Sequence, residues 1–337
     1  MKQFRWLCAI GVLLCIPALS RRSLLRAQSQ TTIEISTEIV VVDALVEQKK
    51  TGLPVEALKR DDLEIYEDGV RQTISQFSRD EVPLSIVFLF DMTDSVRPII
   101  QQLTDGALAS LNHLKAEDEV AVMLYAERAD LAQSFTKDHA VVSQAIVNAG
   151  AMNPGHCGPT PDLCSQRAFF NEGIFQAAAL AKKSGNPSNR RVIIWFTDNV
   201  PNNPDDSVHS EVAAFNLLRE TGVVVCAVVG RSPSSYAALA IFNKNPIFAL
   251  GRKKHPPGNA NKYTEETGGV SAGVGRDDVN RNLTDLIDRV RSRYTIGYSP
   301  SIRKPEGAIC RIEVKLSRDA IRREGAVEIR ARTSYKR

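Results

Sequence analysis

Two kinds of hydrophobic spacing divide this chain. From Thr31 to Asp80 the apolar positions read as strands: "TEIVVVDALVEQ" is β-rich, "TGLPV" is a turn, and "DDLEIYEDGVRQTISQF" alternates around "EDG" as a hairpin does. From Leu84 onward, short continuous apolar runs take turns with segments whose apolar residues recur at helical spacing. "LSIVFLF", "DEVAVMLYAE", "RRVIIWFTD" and "VVVCAVVG" predict buried strands. "VRPIIQQLTDGALASLNHL", "DHAVVSQAIVNAG", "NEGIFQAAALAKK", "HSEVAAFNLLRETG" and "DDVNRNLTDLIDRVRSRY" predict helices. This alternation specifies an α/β fold, Rossmann-like, with a mostly parallel sheet covered by helices on both faces. After Tyr294 the pattern returns to strands in "RYTIGYSP", "CRIEVKLS" and "AVEIRARTSY". The organisation expected is a β segment over 31–80, an α/β domain over 82–292, and a second β segment over 293–337 that packs with the first as a small sandwich.

The first 27 residues follow different rules. Lys2 and Arg5 precede the apolar run "WLCAIGVLLCIPALS", which is short for a membrane span and is closed by Arg21 and Arg22. A charged start, a short apolar stretch and small residues after it describe a secretory signal peptide. Cleavage after Ala27 is favoured over Ser20, because two arginines follow Ser20 directly. Export to the periplasm or the extracellular space is the expectation, with membrane attachment only through this segment if it stays uncleaved. Cys8 and Cys15 leave with it, so Cys157, Cys164, Cys226 and Cys310 remain. In an oxidising compartment Cys157 and Cys164, bracketing "CGPTPDLC", are expected to pair. A zinc site there with His156 needs two further ligands that the neighbourhood lacks. Cys226 lies in an apolar strand and is read as a buried thiol.

Composition narrows the field without deciding it. Of 337 residues, 43% are hydrophobic and 24% charged, values of a globular protein. The net charge is only +4 and the basic residues are scattered, which argues against nucleic acid as a partner. The basic C-terminal stretch "SRDAIRREGAVEIRARTSYKR" interleaves acids with bases and reads as a solvated strand face.

The chemistry gathers at two strand ends, "IVFLFD" at Asp91 and "VIIWFTD" at Asp198. Ligands of an open α/β sheet sit beyond the carboxyl ends of its strands. Thr93 and Ser95 follow Asp91 at alternate positions, so a tight turn aims Asp91, Thr93 and Ser95 at one point. Carboxylates and hydroxyls are hard oxygen donors that suit Mg²⁺ rather than zinc or copper. Hydroxyls in place of further carboxylates leave such an ion with residual positive charge, open to an acidic group from a partner. Two other readings stand beside this one. Asp91 is a strand-terminal aspartate of the kind that serves as a phosphoaspartate nucleophile. That chemistry calls for a lysine where Met92 stands, and for a glycine turn that "WFTDNVPNNPDD", with Asp198, Asp205 and Asp206, does not contain. Alternatively Asp91 to Ser95 caps the next helix, with Pro98 in its first turn. Capping accounts for Ser95 but not for a second strand ending in Asp198. No G-x-S-x-G elbow occurs. Glu64, Glu67 and Asp68 belong to the hairpin and its turn.

D-x-T-x-S at the end of the first α/β strand, with a later "FTD", resembles the metal-ion-dependent adhesion site of von Willebrand factor A (VWA) domains. The flanks "DALVEQKKTGLPVEALKRDDLEIYEDGVRQTISQF" and "LTDLIDRVRSRYTIGYSP" with "RIEVKLS" resemble the bacterial "VWFA-related" exported proteins common in acidobacteria. The resemblance implies a VWA domain without catalysis, an adhesion or protein-binding module. Its ion, Mg²⁺ or else Mn²⁺ or Ca²⁺, would sit on Asp91, Thr93, Ser95 and Asp198, and its protein partner would offer an acidic side chain. Three positions depart from the family pattern. Asp94 stands where a small glycine is usual, Asn199 where "TDG" is expected, and Ala168 where a threonine normally contacts the metal. Thr160 and Ser165, in or beside the cysteine loop, are the candidates to replace that threonine. The alternative within the family is a metal-free envelope scaffold with a degenerate site.

Overall fold

The computed structural model describes residues 39–79, 82–152, 169–186, 188–200, 208–230, 260–274 and 279–337. Its centre is a six-stranded sheet. The strands are β5 (Leu84–Asp91), β6 (Glu119–Tyr125), β7 (Ala129–Thr136), β8 (Arg190–Thr197), β9 (Val224–Gly230) and β10 (Ser271–Val274), in the order β10-β9-β8-β5-β6-β7. All neighbours run parallel except β6 and β7. Every residue of β5 is buried, because both faces of the sheet are covered. The period of two sorts its side chains. Leu84, Ile86, Phe88 and Phe90 pack in one core with α1 (Ile100–Ser110), α2 (His139–Ala151) and α6 (Val279–Arg291). Val87 and Leu89 point the other way, into a second core with α3 (Phe170–Ala181), α4 (Glu211–Thr221) and α5 (Ala260–Thr267).

From β5 the chain moves one way along the sheet to β6 and β7, then returns to the other side of β5 for β8, β9 and β10. The direction of winding therefore reverses between β5 and β8. In open α/β sheets this reversal opens a crevice at the carboxyl ends of the two strands. Asp91 and Asp198 stand there.

The strands before and after the α/β region form two antiparallel four-stranded sheets. One has the order β13-β1-β11-β4, with β1 Val40–Gln48, β4 Ile74–Ser78, β11 Tyr294–Tyr298 and β13 Val327–Arg330. The other has the order β14-β12-β2-β3, with β2 Leu63–Glu67, β3 Val70–Gln72, β12 Ile309–Leu316 and β14 Ser334–Lys336. Val42, Ala44, Ile65, Ile296, Tyr298 and Ile312 share one core between them. The "EDG" turn of the hairpin places both Asp68 (φ 49°) and Gly69 (φ 83°) in the left-handed region, as a two-residue primed turn requires. Asp68 pairs with Lys304, Glu64 with Arg71, and Glu67 accepts both the Tyr298 and Tyr335 hydroxyls, so these acids are occupied within the sandwich.

The sandwich is fastened at the amino ends of the strands, the pole opposite Asp91 and Asp198. Arg190, the first residue of β8, donates to the carbonyls of Val290 (2.7 Å) and Arg291 and to Asp43 on β1 (3.1 Å). Burial alone would raise the Asp43 pKa, but the Arg190 charge and hydrogen bond hold it below the usual carboxylate range. Asp118, fully buried, accepts from Leu84 N and Lys115 N and pairs with Arg291.

Several elements differ from the sequence reading. The edge strand β7 was not expected; its exposed Leu131 and Ala132 and polar Gln133 and Ser134 hide the alternation. Likewise, α5 and β10 are short and carry little apolar pattern of their own. The C-terminal stretch is not one strand face: Arg318–Glu324 forms a short helix, α7, whose N-cap Ser317 accepts from Ala320 N. Ser317→Ala is expected to lower stability by about 1 kcal/mol, read as a shift in the urea midpoint. "AVEIRARTSY" is also broken, with Val327–Arg330 in one sheet and Ser334–Lys336 in the other. Between them Thr333 donates to the Glu266 carbonyl at 3.0 Å, drawing the chain to the end of α5.

Cys226 is buried in β9, and burial pushes its thiol up. Cys157, Cys164, Thr160, Ser165, Ala168 and the N-terminal segment lie outside the described residues. Among the described residues no helix is long and apolar enough to cross a membrane.

Candidate metal centre

The first loop begins where β5 runs out of apolar residues. Asp91 is fully buried, and one of its oxygens, Oδ1, turns back on its own chain. It accepts the Thr93 backbone N–H at 3.0 Å and the Thr93 hydroxyl at 2.7 Å, closing an Asx-type turn. A single 3₁₀ turn, Asp94–Val96, follows and brings the Ser95 hydroxyl to 3.3 Å from that of Thr93. Spacing of two with this turn is what lets the hydroxyls meet.

The other Asp91 oxygen, Oδ2, is held from the neighbouring strands. Tyr125, opposite Asp91 in the β5–β6 register, donates its hydroxyl at 2.9 Å. Thr197, at the end of β8, donates at 2.8 Å. Sequence reasoning missed both residues. The signal for Thr197 was its place in "FTD"; for Tyr125 it was a hydroxyl-bearing residue ending a strand that neighbours β5.

Asp198 completes the group from β8 and is buried. Its Oδ1 accepts Val200 N at 3.2 Å, and the Ser95 hydroxyl bonds its carboxylate. Its Oδ2 is buried and has no hydrogen-bond partner among the described residues. The chain can turn here because Asn199 adopts φ 56°, a left-handed conformation that asparagine tolerates. The Asn199 side chain then accepts Ala260 N at 2.8 Å, tying the turn to the start of α5. This departure from glycine is therefore accommodated. Asp94, the departure on the first loop, pairs with Arg97 one turn ahead.

The structure thus brings Asp91, Thr93, Ser95 and Asp198 together. Burial raises the Asp91 pKa against the opposing effect of its hydrogen bonds from Thr93, Thr197 and Tyr125. Burial, with the Asp91 charge second, pushes Asp198 up to about 7. Two carboxylates in one dry pocket disfavour joint ionisation unless a cation shares the space. An orphaned buried carboxylate oxygen, two adjacent hydroxyls and a second carboxylate make a donor set that fits a hard divalent cation. Asp198, Ser95 and Thr93 would hold such an ion, with Asp91 orienting Thr93 and adding charge.

The model of the von Willebrand factor type A domain family matches residues 86–200. No curated protein matches the sequence significantly. Among solved structures, BatB from Bacteroides thetaiotaomicron is 14% identical with a TM-score of 0.45, over 61% of this chain and 98% of that one. A von Willebrand factor type A protein from Catenulispora acidiphila is 9% identical with a TM-score of 0.43, over 89% and 72%. Proximal thread matrix protein 1 of the mussel byssus, with a zinc-occupied MIDAS motif, is 18% identical with a TM-score of 0.42, over 68% and 50%.

Proposed function

We propose that the von Willebrand factor type A domain of this chain binds a partner protein through a divalent cation held by Thr93, Ser95 and Asp198, with Asp91 orienting Thr93 and adding charge. VWA domains are protein-interaction modules, typically without catalysis. The observation that carries the metal reading is the buried Oδ2 of Asp198, without a partner among the described residues, beside the Asp91 carboxylate and two hydroxyls. Among the described residues two carboxylates face the ion, which would leave a Mg²⁺ or Mn²⁺ ion residual positive charge for an acidic side chain of the partner. The sandwich is fastened at the opposite pole, so among the described residues it does not cover the carboxyl edge of the sheet. Export of the chain, directed by residues 1–27, belongs to the same proposal, as does the Cys157–Cys164 loop as a shaper of specificity.

The phosphoaspartate alternative has less support. Each oxygen of Asp91 accepts two hydrogen bonds, so a nucleophilic attack would first have to break some of them. Calorimetric titration of the full chain with Mn²⁺ tests the metal reading. The expected result is one-site binding that Asp198→Ala abolishes. Absence of binding, or binding indifferent to Asp198, refutes it in favour of the metal-free scaffold.

A further inference from the structure

The Tyr125 hydroxyl does more than satisfy itself. It donates to Asp91 Oδ2 at 2.9 Å and accepts the Trp195 indole N–H at 2.8 Å. A line of two hydrogen bonds therefore runs from the middle of β8, through the end of β6, to the metal loop on β5. All three side chains are fully buried. The Tyr125 ring has little room to move. Phe170 of α3 meets it edge-on at 6.1 Å and Trp195 at 6.3 Å. On the α3 side only a glycine fits: a Cβ on Gly173 would lie 2.8 Å from the Tyr125 ring. Trp195 is packed in turn by Phe170 (4.9 Å) and Tyr263 (5.9 Å).

We propose that Tyr125, oriented by Trp195, is a positioning residue of the metal site, fixing the Asp91 carboxylate so that its other oxygen holds the Thr93 hydroxyl toward the ion. The proposal rests on the metal reading above. Its physical basis is directional. Because the indole N–H occupies the phenol oxygen as an acceptor, the phenol proton is directed to Asp91. Hydrogen bonds in a line also polarise one another, which strengthens the one that ends on the carboxylate. Outer partners of metal-binding groups are worth roughly 10- to 100-fold in metal affinity. The opposing possibility is that Asp91 merely happens to satisfy a buried phenol, a structural role with no bearing on the ion.

The same geometry supplies the reporter. The chain has two tryptophans, Trp6 and Trp195, so Trp6→Phe leaves Trp195 alone. In that full-length background Mg²⁺, which does not itself quench, is expected to shift Trp195 emission, because the ion draws on Asp91 and the indole senses it through Tyr125. Tyr125→Phe is expected to remove the shift and weaken Mn²⁺ binding about tenfold by calorimetry. Thermal melts in EDTA measure its effect on stability separately. An unchanged Mn²⁺ affinity, or an emission shift that survives in the variant, overturns the positioning role while leaving the metal reading intact. A parent chain that takes up no Mn²⁺ refutes both. Should Tyr125→Phe fail to fold, Trp195→Phe decides by calorimetry: weaker Mn²⁺ binding supports the proposal and unchanged binding overturns it.

Discussion

Asp91→Asn is expected to stabilise the metal-free chain at pH 8 while removing divalent-cation binding. In the wild-type protein burial, and after it the Asp91 charge, pushes the folded pKa of Asp198 up to about 7, from the 3.8 ordinary for an aspartate. A carboxylate shifted upward favours the fold fully below its unfolded pKa, and that advantage is lost as pH rises through the folded pKa. The wild-type chain in EDTA should therefore melt at a lower temperature at pH 8 than at pH 5, as far as this site governs. The asparagine carries no charge, so Asp198 is spared one of the two causes of its raised pKa. The asparagine carbonyl still accepts from Thr93, whereas the NH₂ faces the Thr197 and Tyr125 oxygens, which already accept from Asn199 N and the Trp195 indole. Both hydroxyl protons therefore have to turn aside, and part of the electrostatic gain is offset. The net gain at pH 8 is expected to be small, on the order of 1 kcal/mol, and the loss of Mn²⁺ affinity at least about 100-fold. Melting curves at the two pH values in EDTA, with calorimetry, check both. A variant less stable than wild type at pH 8 would show that the site is built for its hydrogen bonds and not strained by its charges.

Gly269→Ala should prevent folding or cost about 3 kcal/mol or more, measured by urea denaturation. A Cβ at this position would lie 1.8 Å from the Val225 carbonyl oxygen, which is backbone inside the central sheet and cannot swing aside. Gly268 before it adopts φ 75°, and its Cβ would lie 2.4 Å from the Ala331 backbone. Together they bring the end of α5 against β9 and, on its other side, the strand crossing of the sandwich. Arg293, wholly buried, donates to the Gly268 carbonyl at 2.7 Å. A methyl group at Gly269 presses on the β9 backbone, and one at Gly268 would press on the sandwich backbone at Ala331. Far from Asp91 and Asp198, the variant should lose metal binding only as far as it loses the fold. Its failure to destabilise would mean that β9 and the glycine pair are less closely apposed than described.

The residues of the site differ in how visibly the chain announces them. Asp91, Thr93 and Ser95 lie within five residues, so local spacing alone suggests a common focus. Asp198 was legible because a second apolar run also ends in a carboxylate. Tyr125 and Thr197 owe their roles to register: one faces Asp91 across β5 and β6, the other ends the strand on the opposite side. Pairing order is a property of the assembled sheet, and no window of sequence contains it. The same limit hid β7 and α5. "ADLAQSFT" is half exposed at a sheet edge, and "ANKYTEET" is polar except for Ala260 and Tyr263, whose burial comes from neighbours distant in sequence. "AVEIRARTSY" erred in the other direction. Its composition suits one strand, but the approach to α5 at Thr333 bends it across two sheets.

Placing the site at one end of β5 and β8 and the sandwich at the other has a mechanical consequence. A pull exerted through a bound partner and resisted by the sandwich runs lengthwise along the two central strands. The ladder bonds between β5, β6 and β8 are then loaded in shear, side by side, rather than peeled apart in turn. Arg190 and Asp118 sit where that load leaves the sheet, and their bonds to Asp43, Val290 and Arg291 form the coupling that has to carry it. If the proposed site grips a partner, the fold would act as a tension member held at one end and anchored at the other.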